Sequence, residues 1–194
     1  MSDVAQAARA IEDGELVVYP TETVYGLGAN AVDADAVERA FEVKGRARDK
    51  PVSLGVPSVE RAREYTEPTE RELAFMREFL PGPVTVVVER RESVPDVLTA
   101  GRDRVGVRVP DHELALELLD ASDAPVTATS ANLSGTGSVR EVEALSDEVR
   151  DAVSVVLDGG RTDGAESTVV DVQAGEIHRR GAMSEEIDAW LERN

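Results

Sequence analysis

The chain has no cysteine in its 194 residues, which excludes disulfides, thiolate metal sites and cysteine nucleophiles together. Its only imidazoles are His112 and His178, too few for a histidine-built metal centre. Aromatic residues are scarce, at 3 Phe, 3 Tyr and 1 Trp, which leaves little for a base-stacking nucleic-acid platform. Apolar runs are strand-sized, well short of the roughly 20 residues that a membrane span requires. The N-terminus, Met1-Ser2-Asp3-Val4, lacks the basic region and apolar core of a signal peptide. A soluble, cytoplasmic protein is expected. There is also no Walker-type phosphate loop, dinucleotide fingerprint or paired-histidine motif. Neither histidine stands in a recognisable Ser-His-Asp context, so a nucleotide bound here would need a less common architecture.

Lysine is almost absent. Thirty-nine acids face 21 bases, for a net charge of −18, and only Lys44 and Lys50 among those bases are lysines. So acidic a surface repels phosphate backbones at long range and argues against general nucleic-acid binding. Acidic, lysine-poor composition suits a salt-loaded cytoplasm, where the Debye length falls to about 3 Å at 1 M. A halophilic archaeal source is the expectation.

Apolar runs of strand length alternate with helical patterns, which argues for an α/β domain. Ser2 is placed to cap a helix carrying Val4, Ala7, Ala8 and Ile11, with Gly14 ending it. Asp35 and Glu38 read as a capping box for a helix with Val37, Ala40 and Phe41 on one stripe, and Thr69 and Glu72 repeat the device before Leu73, Met76 and Phe79. Pro81-Gly82-Pro83 stops that second helix. Asp111 and Ser184 open two more. Strands are expected at 16–19, 84–88, 105–109, 125–128, 153–157, 168–172 and 176–178. No internal repeat or flexible linker divides the chain, so residues 1–194 read as a single domain with no second C-terminal domain.

Four groups of residues break this scaffold pattern. In Tyr19-Pro20-Thr21-Glu22-Thr23-Val24-Tyr25-Gly26-Leu27-Gly28 a strand runs into a loop of hydroxyls and glycines, suited to close approach of a small polar ligand. In Lys44-Gly45-Arg46-Ala47-Arg48-Asp49-Lys50 both lysines of the protein lie within seven residues. Lys44 stands at i+7 from Val37, so a continued helix points it along the apolar stripe. A cation aimed inward is costly unless an anion meets it, and phosphate suits a Lys point charge beside Arg forks. The hydroxyl-rich run Thr127–Ser138 follows a strand, where open α/β sheets bind ligands. Arg108 lies within the apolar run Val105–Val109, so its guanidinium must meet a carboxylate, structural or belonging to a ligand. Ser167-Thr168-Val169-Val170-Asp171 and Arg179-Arg180-Gly181 complete this last group.

Together these segments resemble the YrdC-like family, the L-threonylcarbamoyl-AMP synthases. The matching stretches are Y-P-T-E-T-V-Y-G-L-G at 19–28, K-G-R at 44–46 with K-P at 50–51, P-G-P-V-T at 81–85, V-R-V-P at 107–110, S-A-N-L-S-G at 130–135, S-T-V-V-D at 167–171 and R-R-G-A at 179–182. They come in the family's order and span nearly the whole chain. Ala47 and Thr129 stand where many members have proline, and Ser53 stands where archaeal relatives often carry histidine.

The resemblance implies a YrdC-like fold, a twisted and largely mixed β-sheet flanked by helices, with a deep cationic cleft. It implies condensation of L-threonine, bicarbonate or CO₂, and ATP into threonylcarbamoyl-AMP and pyrophosphate, for threonylcarbamoyladenosine in tRNA. Thr21, Ser53, Arg108, Ala128 and Ser167 should surround threonine, with Arg108 on its carboxylate. Lys44, Arg46, Arg48, Ser130, Asn132, Ser138 and an arginine of the Arg179–Arg180 pair should contact the nucleotide, Lys44 and Arg46 acting in catalysis. Magnesium should come with ATP, held mainly by the phosphates. A downstream tRNA threonylcarbamoyl-transfer complex is an implied partner, while direct tRNA binding runs against the charge. The rival readings are an RNA-binding module on the same fold and a paralogue that uses another acyl donor or hydrolyses the adenylate.

Overall fold

A computed structural model describes residues 3–194. Helix α1 (Asp3–Glu12) buries Ala7, Ala8, Ala10 and Ile11, and Gly14 follows it in the left-handed region; the expected cap, Ser2, lies outside the described residues. Helix α2 (Ala34–Lys44) starts earlier than its predicted box. Asp33, extended and just ahead of the helix, accepts from the N–H groups of Asp35 and Ala36, so the Asp35–Glu38 box is not the cap. At the other end Gly45 adopts φ 58°, and the N–H groups of Gly45 and Arg46 close back on Glu42 and Phe41, a stop that a left-handed residue makes possible. Val37, Ala40, Phe41 and Lys44 are buried along one stripe, as the spacing required.

Thr69 and Glu72 form the expected capping box of α4 (Glu70–Phe79). Helix α6 (Glu113–Ala121) opens after His112 without a side-chain cap rather than at Asp111. Helix α8 (Ser184–Arg193) begins at Ser184, as expected. The short helices α3 (Val59–Ala62), α5 (Asp96–Thr99) and α7 (Asp147–Ala152) carry too few turns to show a periodic stripe.

The strands are β1 (Val17–Tyr19), β2 (Gly26–Gly28), β3 (Ser53–Gly55), β4 (Val84–Glu89), β5 (Arg104–Arg108), β6 (Val126–Ser130), β7 (Val155–Val156), β8 (Thr168–Asp171) and β9 (Glu176–Arg179). They join in one sheet in the order β7-β1-β2-β6-β3-β5-β4-β8-β9. Pairs β1/β7, β3/β5 and β4/β8 are parallel and the remaining neighbours antiparallel, so the sheet is mixed. The sequence reading missed β2 and β3. Each is three residues with one large apolar side chain, and pairing with neighbours rather than periodicity makes them strands.

Alternation decides where the site lies. In β1, Val17 and Tyr19 face the cluster of α1 and α6, while Val18 faces the cluster of α2 and α7. In β5, Val105 and Val107 enter the core, whereas Arg104, Gly106 and Arg108 line a cleft on the opposite face. In β4, Val84, Val86 and Val88 are core and Thr85 and Val87 face the cleft. On the packed side Phe75 stacks on Phe79 at 4.4 Å and meets Trp190 edge-on at 5.0 Å, and the indole N–H of Trp190 donates to Glu78 at 2.8 Å. Among the described residues no helix is long and apolar enough to cross a membrane.

Candidate active site

The cleft encloses about 1170 Å³ over β3, β5, β4 and β8. Its wall includes Arg46, Lys50, Arg102, Arg104, Arg108 and Arg179, but also Asp49, Asp103, Glu166 and Asp171. The wall is therefore of mixed sign rather than cationic throughout. Arg46 and Arg108 each have a pKa lowered chiefly by burial; Glu22 opposes that effect at Arg108, and the charge of Arg179 lowers both. Cations that destabilise one another in this way hold a site poised for an anion.

All residues expected around threonine, namely Thr21, Ser53, Arg108, Ala128 and Ser167, line this cleft. Arg108 is buried. Its Nη1 donates to the Gly82 carbonyl and its Nη2 to Thr23 Oγ1 at 3.3 Å. Its charge partner is Glu22, with Oε2 3.0 Å from Nη2. The carboxylate that the sequence demanded is thus supplied by the chain, one residue past Thr21. Thr21 and Thr23 hydroxyls lie 2.9 Å apart, and Thr21 donates to the Val24 carbonyl at 2.7 Å. That relay orients Thr23 as the acceptor for Arg108.

The floor is made of hydroxyls. Ser53 and Thr85 converge on Gly106, where a Cβ would come within 2.3 Å of Ser53 Oγ and 2.8 Å of Thr85 Cγ2, and Thr85 Oγ1 lies 3.5 Å from Ser167 Oγ. Only glycine leaves room for both side chains. Arg179 donates to the Ser167 hydroxyl at 2.8 Å and carbonyl at 3.0 Å, so it faces inward. Tyr19 closes one side, its hydroxyl donating to the Thr127 carbonyl at 2.9 Å, and burial raises its pKa.

The residues expected on the nucleotide divide into two sets. Arg46, Ser130, Ser138 and Arg179 line the cleft. Arg46 is held by the carbonyls of Lys50 at 3.0 Å and Pro51 at 2.8 Å. Lys44, Arg48, Asn132 and Arg180 lie outside the lining. Lys44 does point inward, yet carbonyl oxygens and not an anion meet it: its Nζ donates to Ser130 and, at 2.6 Å, to Asn132. Burial, followed by the charge of Arg46, lowers its pKa to about 8.

Asn132 turns its amide onto the carbonyls of Leu133 and Thr136, each at 2.9 Å. Arg48, beyond the left-handed Gly45, pairs with Glu38 and covers the Phe41 ring at 5.1 Å. Arg180 pairs with Asp188 on α8 at 2.7 Å. Of the two adjacent arginines, therefore, Arg179 alone faces the cleft.

Sequence reasoning missed Glu22, Thr85 and the group at the far end of the cleft. There Arg104 Nη2 donates to Glu72 Oε1 at 2.8 Å, the Val87 carbonyl at 2.6 Å and Asp171 Oδ1 at 3.1 Å. The signal for this group was the i, i+2, i+4 spacing of Arg104, Gly106 and Arg108 in β5. Glu22 had no such signal beyond its place between two threonines.

A profile of the Sua5/YciO/YrdC family, described as telomere recombination, matches residues 9–181. This chain belongs to the Sua5/YciO/YrdC family. The match spans every candidate residue from Thr21 to Arg180, and it bears out the resemblance read from the motifs. A threonylcarbamoyl-AMP synthase of Pyrococcus abyssi is 45% identical over 169 residues, 86% of this chain and 49% of the relative. One from Bacillus subtilis is 39% identical over 170 residues, again 86% of this chain and 49% of the relative. The chain thus spans about half the length of these two curated family members. The crystal structure of P. abyssi Sua5 complexed with L-threonine superposes with a TM-score of 0.88 at 39% identity, covering 98% of this chain and 58% of that one.

Proposed function

We propose that the chain is a threonylcarbamoyl-AMP synthase, with threonine bound against Arg108 and ATP against Arg46, Ser130, Ser138 and Arg179. The observation that carries this reading is the buried guanidinium of Arg108 on a hydroxyl floor of Ser53, Thr85 and Ser167. A carboxylate, an ammonium and a hydroxyl can all be satisfied there, and a relative of the same fold was solved with L-threonine. The amine of threonine combines with bicarbonate to give a carbamate and water. A carbamate oxygen then attacks the α-phosphorus of ATP, an oxygen–phosphorus bond forms, and the bond to the β-phosphate breaks to release pyrophosphate.

Little covalent work falls to the protein. Arg46 and Arg179 neutralise charge that moves toward the leaving pyrophosphate, and the cleft holds nucleophile and phosphorus in line. Lys44 acts one layer behind, by fixing the carbonyls of Ser130 and Asn132 and so the turn that faces the nucleotide. Among the described residues no cluster of His, Asp or Glu suits a metal ion. Magnesium is proposed to enter with ATP, held mainly by the phosphates.

The product would feed a transfer to tRNA by a separate enzyme. The acidic composition supports a salt-adapted, cytoplasmic, archaeal setting. The deciding experiment is pyrophosphate release with threonine, bicarbonate and ATP, each omitted in turn. Release that requires all three supports the synthase; release from ATP without threonine points to hydrolysis and overturns it.

A further inference from the structure

The guanidinium assigned to the substrate carboxylate is engaged in the structure by a carboxylate of the chain itself. Glu22 Oε2 sits 3.0 Å from Arg108 Nη2, while the Gly82 carbonyl takes Nη1 and Thr23 Oγ1 takes Nη2 at 3.3 Å. A bidentate grip on a substrate carboxylate needs two parallel N–H donors, so it competes with these three acceptors, two of which crowd Nη2.

Two of them are anchored. Gly82 is main chain and its own N–H is tied to the Val109 carbonyl at 2.9 Å. Thr23 is tied through its hydroxyl to Thr21 at 2.9 Å. Glu22 is held differently. Both its carboxylate oxygens are shut off from solvent, and neither accepts a hydrogen bond within the described residues. Its contact with Arg108 is a single-point ion pair through one carboxylate oxygen, with no main-chain or hydroxyl anchor behind it. Its side chain is 18% exposed, which leaves a route outward by a change of rotamer.

We propose that Glu22 is an intramolecular competitor for the substrate: its carboxylate occupies Arg108 until the carboxylate of L-threonine displaces it. The inference rests on the reading of Arg108 as the threonine-carboxylate partner. Glu22 keeps a buried guanidinium compensated when no amino acid is bound, since an unpaired one is strongly destabilising. Two carboxylates on one guanidinium repel each other, so the arriving anion drives Glu22 away. Apparent threonine affinity is then the intrinsic affinity reduced by the fraction of Arg108 that Glu22 leaves free. A ligand lacking the carboxylate has nothing to exchange and gains nothing from Glu22's departure. Glu22 is a positioning residue in this scheme and touches no reacting atom.

The test is calorimetric titration of L-threonine and of threoninol into the wild type and Glu22→Gln, which keeps the shape and removes the charge. The variant is expected to bind threonine roughly three- to tenfold tighter, with threoninol and ATP-analogue affinities unchanged. Its melting temperature without threonine should fall, and the rise caused by threonine should grow. A purely structural partner of Arg108 would lower threonine affinity when neutralised, never raise it. Unchanged or weaker threonine binding overturns the competition. Wild type that binds threonine while the variant shows no gain sinks this inference alone; wild type that does not bind threonine sinks the functional reading and the inference with it. If Glu22→Gln fails to fold, Glu22→Asp keeps the charge one methylene farther from Arg108, and a smaller tightening is expected. Its absence is equally fatal.

Discussion

Lys44 ends α2 with its ammonium between the carbonyls of Ser130 and Asn132, and burial brings its pKa from 10.5 to about 8. The folded chain therefore releases this proton before the unfolded chain does. Between about pH 8 and 10.5 the unfolded state binds more protons, so the contribution of Lys44 to stability becomes more favourable as pH rises through that window, and its burial costs most below pH 8. Nucleotide binding moves the other way, because a neutral Lys44 holds the carbonyls of Ser130 and Asn132 less firmly and loosens the turn that faces the nucleotide. Wild-type affinity for an ATP analogue should weaken as pH rises past about 8, and Lys44→Met should lack that limb; superimposable pH profiles would remove Lys44 from the nucleotide side. Arg108→Lys keeps the charge and loses the planar fork. Loss of one charge-assisted hydrogen bond is worth about 1.5–3 kcal/mol, or roughly ten- to a hundredfold in threonine affinity. Titration that finds the two proteins equal would return Arg108 to a structural ion pair with Glu22.

Strand β5 carries both a core and a site by alternation alone, Val105 and Val107 on one face and Arg104, Gly106 and Arg108 on the other. Gly106 is the element's weak point, since a methyl group there meets Ser53 Oγ at 2.3 Å. Gly106→Ala should cost roughly 1–3 kcal/mol by overpacking and abolish the heat of threonine binding. A denaturant melt and a titration on the same sample check both, and a variant that binds threonine normally would show that the floor is not the pocket. Helix α4 offers a control away from the cleft. Thr69→Ala removes half of its capping box and should cost about 1 kcal/mol, with threonine affinity retained.

At the scale of the molecule, a net charge of −18 surrounds an inner cleft where Arg46, Arg108 and Arg179 gather. Self-repulsion among surface carboxylates destabilises the compact state, and salt screens it within about 3 Å at 1 M. The melting temperature should therefore climb steadily between dilute buffer and 2 M KCl. A flat or falling curve in a thermal melt series would argue against salt adaptation. The same acidic shell weighs against tRNA as a direct ligand, since phosphate backbones meet repulsion before they reach the arginines.

Much of this was legible in the sequence because it depended on local spacing. Thr69 and Glu72 stand three apart and so form a capping box; Lys44 stands seven past Val37 and so turns inward; Arg108 among valines must find an anion. The order of the motifs was enough to name the family. What local spacing could not supply was the identity of distant partners. Tertiary packing decided that Arg108 meets Glu22, 86 positions earlier in sequence number, and that Lys44 meets carbonyls of the 130–132 turn. It decided that Arg179 faces the cleft and Arg180 the helix α8, next to a register shift between Val169 and Val170. It also made strands of Gly26–Gly28 and Ser53–Gly55, each paired on one side with β6, more than seventy residues along the chain, and on the other with β1 or β5, so pairing rather than their own side chains defines them.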